Sequence, residues 1–96
     1  MSDNENEISI GDMYFASALL AYGANLLRVD KTDQKRQKFW FENTPLDFIV
    51  LDESGEVSKV TNATIEFAEN RFLARKLWFP PNYSDSIRRI KTAIYS

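Results

Sequence analysis

Ninety-six residues, 44% of them hydrophobic and 14% aromatic, are enough for one domain with its own core and leave no need for a metal or disulfide staple. The chain has no Cys and no His, which removes thiolate nucleophiles, Ser-His and Cys-His pairs, zinc-thiolate sites and most metal ligand sets; an enzyme here would have to work with carboxylates, Lys, Tyr or backbone. The net charge of -2 conceals a segregation, with -4 over residues 1–30, +3 over 31–41, -6 over 42–70 and +5 over 71–96.

The opening Met1-Ser2-Asp3-Asn4-Glu5-Asn6-Glu7 is acidic and polar, the opposite of a secretory n-region, and predicts a short flexible tail over residues 1–7 ahead of a single α+β domain over 8–96. An uncharged run from Met13 to Leu27 follows. It is shorter than the roughly 20 residues of a membrane span and is broken by Gly23, so a soluble, cytoplasmic protein is expected, in the host cytoplasm if viral. A helix should start at Gly11-Asp12, where the carboxylate can cap it, and run to Tyr22, with Gly23 as its stop. Because almost every position is apolar, this helix should be covered on more than one side and form the hub of the core, with Tyr14, Leu19 and Phe39 in a dry interior.

From Asn25 to Lys31 the apolar period changes to two, with Leu27 and Val29 on one face, and after a polar turn Phe39 and Phe41 alternate with Lys38, Trp40 and Glu42. This is a hairpin pattern in which Phe39 and Phe41 pack inward with Leu27 and Val29, leaving Trp40 beside Lys38 on the other face. Between Thr44 and Thr61 the signals compete. Thr44-Pro45-Leu46-Asp47 suits a helix start, whereas Phe48-Ile49-Val50-Leu51, the turn-like Asp52-Glu53-Ser54-Gly55 and the alternating Val57 to Thr61 suit a second hairpin, the favoured reading. A helix capped at Thr61-Asn62 should carry Ile65, Ala68, Phe72 and Phe79, with Leu73 and Leu77 alongside, until Pro80-Pro81 ends it. A last helix capped by Ser84 should bury Tyr83, Ile87, Ile90 and Ile94 and leave Arg88, Arg89 and Lys91 outside.

The two basic segments offer candidate contacts for a partner or a nucleic acid: Lys35, Arg36 and Lys38 around the hairpin turn, and Arg71, Arg75, Arg88, Arg89 and Lys91 on the C-terminal helices. They form a site only if they converge on one face; otherwise they neutralise the acidic middle. Trp40 is either a partner anchor or covered by a second layer, and Trp78-Phe79-Pro80-Pro81 either a docking motif or a helix end whose aromatics tuck under the next turn. The acids Asp47, Asp52, Glu53 and Glu56 do not have the spacing of a Ca²⁺ loop and read as a solvated turn. No catalytic residue, metal site or cofactor is expected.

The strings Asp12-Met13-Tyr14-Phe15-Ala16, Leu19-Leu20-Ala21-Tyr22-Gly23, Leu26-Leu27-Arg28-Val29 and Phe39-Trp40-Phe41-Glu42, with Ile87-Arg88-Arg89-Ile90-Lys91-Thr92-Ala93-Ile94-Tyr95 near the end, resemble a family of small proteins from phages and prophage-like regions catalogued as a domain of unknown function. The likeness covers about residues 8–43 and 82–95, and the chain departs from the pattern between Pro45 and about Val60, where it is longer. The resemblance implies a mobile-element context and an α+β fold and carries no catalytic residues.

The expectation is therefore a single α+β domain with an N-terminal buried helix, an antiparallel hairpin sheet and two C-terminal helices. It is expected to be a non-enzymatic binding module acting by protein-protein interaction or self-association, with nucleic-acid binding as the alternative and neither a membrane nor a small-molecule substrate as partner.

Overall fold

A computed structural model of the chain describes residues 6–32 and 37–95. In chain order these form β1 (Glu7–Ile10), α1 (Met13–Ala21), β2 (Leu26–Asp30), β3 (Lys38–Glu42), β4 (Leu46–Leu51), β5 (Val57–Ala63), α2 (Ile65–Leu73) and α3 (Tyr83–Tyr95). The architecture is α+β, with a three-stranded antiparallel sheet in the order β1-β3-β2, an antiparallel pair β4-β5, and three helices. Of the tail expected over 1–7, residues 1–5 lie outside the described residues; Glu7 opens β1, a strand the sequence did not announce.

α1 forms where the sequence pattern placed it. The Asp12 carboxylate accepts the Tyr14 N–H at 2.7 Å and the Phe15 N–H at 3.1 Å, satisfying two of the helix's orphan donors. At the other end the Gly23 N–H donates to Leu20 and the Ala24 N–H to Leu19, a paired closure that requires the left-handed conformation Gly23 adopts at φ 96°. Six consecutive residues, Phe15 to Leu20, are buried, since α3 packs on one side of α1 and the inner face of the three-stranded sheet lies on another. Ser17 is tolerated there because its hydroxyl donates to the Met13 carbonyl at 2.8 Å. Leu19 and Phe39 are fully buried as expected, but Tyr14 is 54% exposed: it sits in the first turn, before the covered arc begins, and its carbonyl accepts the Tyr83 hydroxyl.

In the three-stranded sheet, Ile8 and Ile10 of β1 stand opposite Phe41 and Phe39 of β3. The β2 register corrects one expectation. Leu26 pairs with Phe41 and Val29 with Phe39, and a bulge between Leu26 and Arg28 absorbs the odd spacing. Leu26 therefore packs on the core in place of Leu27, which is 40% exposed.

The segment after Thr44 is a hairpin. Its turn is held by Asp52, whose carboxylate accepts the Ser54 hydroxyl and N–H and the Glu56 N–H, while Gly55 takes φ 87°. A second irregularity sits at Asn62, also left-handed, whose N–H bonds the Asp47 carboxylate at 3.0 Å.

α2 is capped by the Thr64 hydroxyl, which accepts the Phe67 N–H at 3.1 Å, and ends at Leu73, not at the prolines. The predicted continuation to Phe79 fails because the chain reverses at Arg75 and runs back along β4. The Leu51 N–H donates to Lys76 at 2.7 Å, the Trp78 N–H donates to Ile49 at 2.9 Å, and Leu77 pairs with Val50 and is buried. An edge of β4 that would otherwise expose its backbone is thereby covered. α3 then starts two residues earlier than a cap at Ser84 would place it: the Asn82 carbonyl accepts the Ser86 N–H, and Ser84, the expected cap, is an exposed residue of the first turn. Among the described residues no helix is long and apolar enough to cross a membrane.

Candidate protein-docking groove

The reversal after α2 leaves a groove. Phe72 and Leu73 from the last turn of α2, Arg75 from the reversal, and Leu77 and Phe79 from the returning segment line an open, largely apolar depression of about 420 Å³. Its lining rings Phe72 and Phe79 belong to a chain of ring contacts that ties α1, α2, the returning segment and α3 together: Phe15 to Phe72 at 5.1 Å between centroids, Phe72 to Phe79 at 6.2 Å edge-on, and Phe79 stacked on Tyr83 at 4.6 Å. Leu73 is 71% exposed and Phe79 43% exposed, so two large apolar side chains face solvent at one place.

The far wall is fixed by Tyr22 at the end of α1. Its hydroxyl accepts the Ile49 N–H at 3.3 Å and donates to the Trp78 carbonyl, taking the place of one rung between β4 and the returning segment. Its ring meets Phe48 edge-on at 4.9 Å. Burial raises the Tyr22 phenol above its ordinary value, with the Ile49 hydrogen bond acting weakly the other way, so the hydroxyl stays protonated and available as a donor. The Tyr83 phenol is raised as well, by burial first and then by the charge of Asp12.

The basic residues singled out in the sequence are dispersed among separate elements. Lys35 and Arg36 lie outside the described residues. Lys38 is exposed on β3 opposite Asp30. Arg71 lies over the Phe67 ring at 5.1 Å on α2, and Arg75 lines the groove. Arg88, Arg89 and Lys91 are exposed on α3, where Arg88 pairs with Asp85 at 3.7 Å. α2 packs on β4 and α3 on α1, so the described basic residues fall into separate groups, Arg71 and Arg75 at the end of α2 and Arg88, Arg89 and Lys91 on α3.

Trp40 is half-buried, with the Arg28 guanidinium 4.8 Å above its ring, and Arg28 also pairs with Glu7 at 2.9 Å. Trp40, read from the sequence as either a partner anchor or covered by a second layer, is thus capped by the chain's own cation. Among the described residues no group of three or more His, Cys, Asp or Glu side chains could hold a metal ion.

The groove residues escaped the sequence reading because Phe72, Leu73, Leu77 and Phe79 sit at helical spacing, which assigned them to the inner stripe of one long helix. The available signal was Trp78-Phe79-Pro80-Pro81, whose docking reading places Phe79 at the groove.

A family model described as a domain of unknown function, DUF5659, matches residues 5–52, half of the chain. The matched span passes through β4, beyond Pro45 where the sequence pattern was expected to depart, and ends at the hairpin turn before α2 and α3. No curated protein and no solved structure matches.

Proposed function

This chain belongs to the DUF5659 family, and we propose that it is a non-enzymatic binding module of viral or mobile-element type that acts by protein-protein interaction. The observation that carries this reading is the groove at the end of α2, where Leu73 and Phe79 stand exposed in a ring-lined depression. Clustered apolar side chains in a concave setting are costly in water and favourable under a partner, whose side chains can fill the depression. The mobile-element part rests on the sequence strings of α1, β2 and β3.

The experiment is site-specific photo-crosslinking in the producing cell, with the reactive amino acid at Leu73 and, as control, at Ser58 on the exposed part of β5. Polypeptide adducts at Leu73 and none at Ser58 are the expected result. Equal labelling at both positions, or none at Leu73, refutes the groove as the working surface.

A further inference from the structure

Arg75 stands out. It occupies the left-handed conformation at φ 60° and closes α2 with the same pair of bonds by which Gly23 closes α1: the Arg75 N–H donates to Phe72 and the Lys76 N–H to Arg71 at 2.7 Å. At this position glycine is the usual residue, because a side chain there costs about 1–2 kcal/mol through the clash of Cβ with the carbonyl. α1 ends the standard way, whereas α2 carries an arginine.

The favourable interaction of a cation with the negative end of a helix accounts for having positive charge near that terminus. Arg71 and Lys76 supply such charge from unstrained positions, so helix electrostatics alone leaves the arginine at 75 unexplained. Arg75 lines the apolar groove, and Arg71, Arg75 and Lys76 have no ion pair among the described residues. Arg71 and Arg75 repeat at a spacing of four, with no carboxylate set between them, and the nearest acid toward the C-terminus, Asp85, is held by Arg88. An apolar groove with one cation without an ion pair, Arg75, in its lining is complementary to a ligand that brings both apolar bulk and negative charge.

We propose that the groove receives an acidic segment of a partner protein, with apolar side chains seated between Leu73 and Phe79 and a carboxylate on the Arg75 guanidinium. This deepens the protein-binding reading and rests on it. A binding role for the side chain accounts for an arginine at a left-handed position in the groove, where glycine would serve the fold better.

The test uses the full chain and labelled 12-residue peptides with Leu and Phe at helical spacing, the remaining positions being Glu in one, Gln in the second and Lys in the third, read by fluorescence anisotropy. The expected result is at least tenfold tighter binding of the Glu peptide than of the Gln peptide, no binding of the Lys peptide, and loss of the Glu preference in Arg75→Gly. That variant keeps the backbone geometry and should unfold at higher denaturant than the parent, so a loss of preference cannot be ascribed to misfolding.

Equal affinity for the Glu and Gln peptides, both abolished by Leu73→Asp, overturns the acidic partner while leaving the protein-binding groove standing. No binding of any peptide at millimolar concentration overturns both. Dimerisation of the chain that Leu73→Asp abolishes overturns the separate partner in favour of a second copy.

Discussion

Replacing Tyr22 by Phe removes one oxygen and tests how the groove's far wall is held. The ring keeps its contact with Phe48, but the Ile49 N–H and the Trp78 carbonyl lose the hydroxyl that joins them. Both groups are partly buried, and leaving such groups unpaired costs about 1–3 kcal/mol. In a domain of this size each kcal/mol is worth about 4–8 °C in melting temperature. Urea denaturation followed by tryptophan fluorescence should therefore show Tyr22→Phe unfolding earlier by that amount, with an unchanged slope. The amide exchange of Trp78 should accelerate more than that of β3, because the returning segment is the part released. The raised Tyr22 phenol adds a pH signature. A group whose folded value lies above its unfolded one contributes stability that is complete below the unfolded value and disappears as pH rises through the folded one. The parent should lose stability steeply above the usual tyrosine range, and Tyr22→Phe should lose less. A variant within about 0.5 kcal/mol of the parent, with unchanged exchange at Trp78, would refute the claim that this hydroxyl serves as a rung.

Arg75→Gly should raise stability by about 1 kcal/mol in the same denaturation assay, as a side chain is removed from a left-handed position. Phe48→Ala, at a fully buried ring beside Tyr22, should cost about 3–5 kcal/mol, whereas Leu27→Ala in the exposed bulge should stay within about 0.5 kcal/mol. Asp52 and Asp30 are both held below the usual carboxylate range, Asp52 by the Ser54 hydroxyl and Asp30 by hydrogen bonding to Thr32. Their contributions are present above that range and vanish as pH falls through the depressed values, so Asp52→Asn should show a smaller loss of melting temperature on acidification than the parent. Reversing Arg88 and Arg89 to Glu tests the nucleic-acid alternative. With the basic side chains spread over β3, α2 and α3, the parent should show no salt-sensitive affinity for single- or double-stranded DNA that the reversal removes.

The sequence announced α1 and both hairpins because each rests on local chemistry: Asp12 and Gly23 bracket a continuous apolar run, and the Asp52 to Gly55 turn sits between alternating strands. It did not announce β1, since Ile8 and Ile10 amount to only two alternating apolar residues beside an acidic stretch, and their strand exists through pairing with Phe39 and Phe41 far along the chain. The period-two pattern put Leu27 inward with Val29, and a bulge that no such pattern can contain puts Leu26 there instead. The groove was hidden for a related reason. Leu73, Leu77 and Phe79 fit a helical stripe, and only the long-range attraction of β4's open edge turns the chain at Arg75 and converts that stripe into two walls.

The most direct measurement is a two-dimensional NMR titration of the isotope-labelled full chain with the Glu peptide, observing backbone amides and the leucine methyls. Shifts confined to Phe72 to Phe79 and the adjoining end of α1 are predicted, with the largest change at Leu73 and Arg75. Shifts centred on Arg88 and Arg89 of α3, or on Trp40 of β3, with the groove silent, would contradict the account.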